Sequence, residues 1–201
     1  MILIFNFKKN VWGKKYFCLF FQEKSQSFFE RDLVDLPSLR CELGFIDGMH
    51  LFEYALQDFI NLTRMSTPGA LFLFHDVMPW SFEMTTRDHK TLKKSAPWVG
   101  DIWKLIPIFI EAGMKDFISV LTSAPSGLIA VTNPGEQLTN NLIEKFDEIF
   151  SKWKNIELES FGISNFYQHE VFTSPENFLT YLENINFGSP HKTDKKVWVS
   201  Q

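Results

Sequence analysis

Four residues in two short blocks carry most of the chemistry legible in this sequence: Asp47 with His50 three positions later, and the adjacent pair His75-Asp76. Each block follows a short apolar run, Cys41 to Ile46 in one case and Ala70 to Phe74 in the other. Runs of that length bounded by turn residues predict buried strands. If the two strands are parallel neighbours, the groups at their carboxyl ends share one edge of a sheet and converge on one ligand. Two carboxylates and two imidazoles suit a divalent cation such as magnesium or manganese. Any one of these residues alone reads more simply as a strand-end polar group that caps a helix or meets water. The joint pattern is what favours a site.

The elements that must position these groups follow from spacing. Glycine at position 48 permits a sharp turn off the first strand end. From Leu51 to Met65, Phe52, Ala55, Leu56 and Phe59 recur at helical intervals with polar residues between them, which predicts an amphipathic helix packed on a sheet. Thr67-Pro68-Gly69 breaks that helix before the second strand. Strand, acidic turn, helix, turn, strand, acidic turn is the repeat of an open α/β sheet. Residues 78–97 carry two prolines and many polar side chains and read as a loop or lid, flanked by Trp80 and Trp98. Helical spacing returns over 101–112, where Pro107 predicts a bend or an early break. Residues 117–121 and 127–131 predict an antiparallel strand pair that closes the sheet. Asn133-Pro134-Gly135 opens a helix whose Leu138, Leu142, Phe146, Ile149 and Trp153 form one apolar stripe, and Ser174-Pro175-Glu176 is a second helix start. Upstream, Tyr16 to Phe21 reads as a strand, and residues 1–7 as another strand or a frayed start.

Composition narrows the classes. The chain has 201 residues, 45% of them hydrophobic, enough for one buried core; residues 1–188 are expected to form a single domain and 189–201 a flexible tail. A net charge of −4 with its basic residues dispersed argues against a nucleic-acid partner. Cys18 and Cys41 alone exclude a disulfide framework and a cysteine zinc site, and fit a cytoplasmic setting. No apolar stretch reaches spanning length, so no membrane partner is expected. His89, His169 and His191 lie among polar residues and read as solvent-facing.

Several of these blocks together resemble a known family. Residues 45–53, Phe-Ile-Asp-Gly-Met-His-Leu-Phe-Glu, with Asp58 beyond them, are similar to the Ile-Asp-Gly-x-His-x-Tyr-Glu signature of class I S-adenosylmethionine-dependent methyltransferases, in the branch of sugar and macrolide O-methyltransferases. Pro68-Gly69 with Leu73-Phe74-His75-Asp76-Val77, residues 25–29, and Trp98-Val99-Gly100-Asp101-Ile102-Trp103-Lys104 resemble further segments of that branch, over about residues 16–133. The resemblance implies part of a Rossmann-like sheet, mostly parallel with a C-terminal antiparallel pair, followed by helices. It implies S-adenosylmethionine as cofactor and methyl transfer to a small hydroxylated acceptor. It also implies Asp47, His75 and Asp76 as ligands of magnesium or manganese, with His50 as general base. Phe52 stands where the family has tyrosine. The family's cofactor loop of closely spaced glycines has no counterpart, since no Gly-x-Gly occurs in the sequence, and the family's first two strands are not evident. That leaves a second expectation, a non-catalytic remnant or partner subunit, in which the N-terminal segment, a second copy or another chain covers the edge of the strand ending at Asp47.

Overall fold

The computed structural model describes residues 2–10, 13–30, 40–93, 96–122 and 125–184, and side chains from residue 22 onward. The expected tail at 189–201 lies outside the described residues. The chain opens with an antiparallel hairpin of β1 (Ile2–Asn10) and β2 (Gly13–Phe21). A short helix α1 (Ser25–Phe29) precedes β3 (Cys41–Ile46). Then come α2 (Phe52–Arg64), β4 (Ser66–His75), α3 (Leu105–Glu111), β5 (Ile118–Leu121) and β6 (Leu128–Thr132). Helices α4 (Glu136–Glu144), α5 (Phe146–Trp153), α6 (Leu158–Phe161) and α7 (Ile163–Tyr167), strand β7 (Phe172–Thr173) and helix α8 (Pro175–Glu183) complete it.

Five strands form a mixed sheet in the order β3-β4-β6-β5-β7. β3 pairs parallel with β4, β6 pairs antiparallel with both β4 and β5, and β7 pairs parallel with β5. Only β6 therefore runs against the rest. The expected β5–β6 pair is present but does not close the sheet, because β6 inserts beside β4 and β7 forms the far edge. β3 is the other edge, and β1 approaches it without hydrogen-bonded pairing.

The two faces of the sheet differ. Phe72 and Phe74 of β4, Ile129 and Val131 of β6 and Val120 of β5 point into the main core, where they meet Phe52, Leu56 and Phe59 of α2 and Phe109 of α3. On the opposite face α8 lays Phe178 against Leu71 and Ala130, while Leu43 and Phe45 of β3 stay half exposed.

Local sequence explains most element limits. Ser174 caps α8 by accepting a bond from the Asn177 amide, with proline at the first helical position. Pro107 sits in the first turn of α3, where its missing N–H has no intrahelical partner to lose, so the expected break does not occur. Thr67-Pro68-Gly69 falls inside β4 instead of before it. The register there moves two steps along β3, Cys41 to Leu43, against five along β4, Ser66 to Leu71. The turn residues thus form a bulge, with Gly69 at φ 76° and proline excused from the ladder. The apolar stripe expected over 138–153 is divided at Lys145 into α4 and α5.

Candidate metal centre

The β3–β4 ladder sets Ile46 beside Phe74, so Asp47 and His75-Asp76 leave the sheet at the same rim. Asp76 is the one described non-glycine residue in the left-handed region, at φ 61°. Such a conformation costs roughly 1–3 kcal/mol and persists where surrounding contacts enforce it. Here the enforcing contacts come from the β5–β6 connection: the Ser126 hydroxyl donates to Asp76 Oδ1, and the Met78 amide donates to the Ser126 carbonyl at 2.7 Å. Gly48, by contrast, does not need to be glycine. Its φ is not positive and an added Cβ would meet nothing within 4 Å, so the turn does not draw on the conformational freedom that glycine permits there.

His50 completes the rim. Its Nε2 lies 3.1 Å from Asp76 Oδ2 and 3.5 Å from Asp47 Oδ1. Its Nδ1 is 2.9 Å from the Trp98 carbonyl. A carbonyl only accepts, so Nδ1 carries a proton and Nε2 is the nitrogen presented to the carboxylates. The indole of Trp98 packs on the imidazole at 5.0 Å between centroids. Trp98, read from sequence as a flank of the lid, therefore buttresses the site.

Asp47, His50 and Asp76 each offer one ligand atom, and these atoms lie within 4.8 Å of one another. A cation with bonds of about 2.0–2.6 Å spans such a set. Three protein ligands leave other coordination positions for water or a substrate oxygen. His75 stands at the side of this group, its Nδ1 3.3 Å from Asp76 Oδ1 and 3.8 Å from Asp47 Oδ1. All four sequence-derived residues thus meet at one place, and the tightest group takes in His50 ahead of His75.

Behind the rim lies a charged network that spacing did not reveal. Asp101 is buried, and its Oδ1 accepts the Phe52 amide at 2.9 Å. Its Oδ2 accepts from Arg87 and from the buried Lys104, the latter at 2.8 Å. Arg87 also bridges both oxygens of Glu53. Burial works against the Arg87 guanidinium, but its bonds to Glu53 and Asp101 outweigh that and raise its pKa. For Lys104 burial prevails over the help of Asp101 and lowers the pKa. Both cations stack over the Phe52 ring, at 5.8 Å for Arg87 and 5.2 Å for Lys104, so Phe52 serves as a cation–π platform.

The remaining histidines divide. His89 is exposed and packs its ring on Trp98. His169 is half-buried with Nε2 lacking a hydrogen-bond partner, contrary to the expectation of a solvent-facing ring. His191 lies outside the described residues. Among the described residues no helix is long and apolar enough to cross a membrane. Comparison of the chain with family models, curated proteins and solved structures finds no match.

Proposed function

We propose that this chain is a metal-centred α/β domain that binds a small hydroxylated molecule, with O-methyl transfer as the reaction class its sequence resembles. The observation that carries the reading is the convergence of Asp47, His50 and Asp76 within 4.8 Å at the carboxyl ends of two parallel strands. Magnesium or manganese would be held there by one oxygen from each aspartate and by His50 Nε2. When bound, the cation supplies Lewis acidity that lowers the pKa of a coordinated hydroxyl. His50 then serves as a ligand, and His75 becomes the neighbouring imidazole placed to take the hydroxyl proton, an exchange of the roles implied by the resemblance. A cleft of about 700 Å³ lined by Trp80, Phe82, Ile163 and Tyr167 adjoins the loop that leaves Asp76 and suits the apolar body of a small molecule.

The residues present do not fit the methyl donor. The sequence has no Gly-x-Gly, and a hairpin and a short helix, not a strand followed by a glycine-rich turn and a long helix, are described ahead of β3. That observation favours the second reading, a binding module or partner subunit that keeps the metal rim and does not transfer a methyl group by itself. Calorimetric titration with S-adenosylmethionine, with and without manganese, separates the two. Heat of binding supports a transferase, and manganese binding without cofactor heat supports the module. Absence of both refutes the proposal.

A further inference from the structure

Residues 84–93 and 96–101 form a strap across the start of α2 that holds His50 from two sides. On one side the Asp101 amide donates to the His50 carbonyl at 3.0 Å, and the Asp101 carboxylate takes the Phe52 amide two residues further along. Gly100 lies against this junction at φ 58°, where an added Cβ would stand 1.7 Å from the His50 oxygen. On the other side the Trp98 carbonyl holds His50 Nδ1, while the Trp98 indole donates to the Thr86 carbonyl at 2.7 Å. The amides of Val99 and Gly100 both donate to the Met84 carbonyl at 3.1 Å, which folds the strap back on itself.

One side chain ties this strap to the body of the fold through opposite charges. Arg87, next to Thr86, spans Glu53 on α2 and Asp101 at the far end of the strap. A guanidinium is suited to that task because its planar fork can engage two carboxylates at once, which an ammonium cannot do in the same geometry. The connected path runs from Glu53 through Arg87 to Thr86, then through the Trp98 indole and carbonyl to the His50 ring.

We propose that Arg87 is a positioning residue for His50: by clamping the strap it fixes the imidazole with Nδ1 on the Trp98 carbonyl and Nε2 toward Asp47 and Asp76. The inference builds on the metal reading, yet part of it stands without any metal, because ring orientation is observable in the metal-free protein. Side-chain partners that orient a metal-ligating histidine are worth about 10–100-fold in metal affinity.

The test compares the full chain with Arg87→Gln and with Glu53→Gln/Arg87→Gln, the double variant leaving no uncompensated carboxylate at position 53. Nitrogen-resolved NMR reads the His50 Nδ1–H without metal, and electron paramagnetic resonance reads manganese affinity. The wild type is expected to show a slowly exchanging Nδ1–H, and its absence there overturns the proposal; both variants are expected to lose that signal and to bind manganese about 10–100-fold more weakly. Leu142→Ala, a core truncation away from the strap, should lower the melting temperature and leave the signal in place. Arg87→Lys, which keeps the charge without the bridge, carries the test if the other two variants do not fold, and should lose the signal as well. Retention of the signal in a folded Arg87 variant overturns the proposal, as does its loss in Leu142→Ala. If the wild-type chain binds no manganese, the metal reading fails, while loss of the signal in the Arg87 variants still supports the clamp.

Discussion

Asp58 offers a quantitative test of how α1 docks on α2. Burial pushes its carboxyl up to about 6 from the ordinary 3.8, with a hydrogen bond from Ser25 opposing only part of the effect. At about 1.4 kcal/mol per pKa unit, keeping that carboxylate ionised in the fold costs about 3 kcal/mol at neutral pH. The sign follows from linkage: between 3.8 and about 6 the native state binds more protons than the unfolded one, so stability falls as pH rises through this window. Below 3.8 the neutral carboxyl carries no such penalty. Asp58→Asn removes the titration and keeps a polar group near Ser25. Urea denaturation of both proteins from pH 4 to pH 7.5 should show nearly equal stability at the acid end. The variant should then gain progressively, reaching about 3 kcal/mol at neutral pH, or about 6–12 °C in melting temperature for a domain of this size. A difference that stays constant across the range, or a variant less stable at pH 7, would refute the reasoning.

Other perturbations probe the rim and the strap. Asp101→Asn turns an amide toward Arg87 and Lys104 and should cost about 3–5 kcal/mol in chemical denaturation, since it leaves Lys104 buried without its counter-charge. A loss below about 1 kcal/mol would mean the network is not stabilising by that mechanism. Gly100→Ala must displace the His50 carbonyl and leave the left-handed region, so a loss of at least about 2 kcal/mol is expected. Gly48→Ala, two residues before His50 in the sequence but open on its Cβ side, should stay within about 0.5 kcal/mol. Equal effects of the two alanines would contradict the backbone geometry described for the strap.

Much of the fold was legible because its signals are local. The helix expected over 51–65 is α2 within a residue or so at each end, since four apolar side chains at helical spacing face the sheet. The convergence of Asp47 with His75-Asp76 needed only one further inference, that neighbouring strands run parallel, and the β3–β4 pairing supplies it. What stayed hidden depends on distant partners. Arg87 meets Glu53 across 34 positions and Asp101 reaches the Phe52 amide across 49, and charged residues in such a loop ordinarily face water. Ser126 falls in the short connection between two expected strands, and nothing in its sequence neighbours announces that it will hold a carboxylate 50 positions away. The bulge at Thr67-Pro68-Gly69 was visible as a break but not as one inside a strand, because tertiary pairing on both sides of it overrides the local turn preference. The left-handed backbone of Asp76 likewise has no sequence signature, as aspartate adopts many conformations and only the packed turn selects this one.

The central claim is that Asp47, His50 and Asp76 form one cation site. Manganese titration of the metal-free protein, followed by electron paramagnetic resonance, tests it most directly when run alongside Asp76→Asn. The account predicts one saturable site per chain in the wild type, with affinity lost in the variant while the melting temperature of the metal-free protein changes little. Saturable binding that is unchanged in Asp76→Asn, or no saturable binding in the folded wild-type chain, would contradict it.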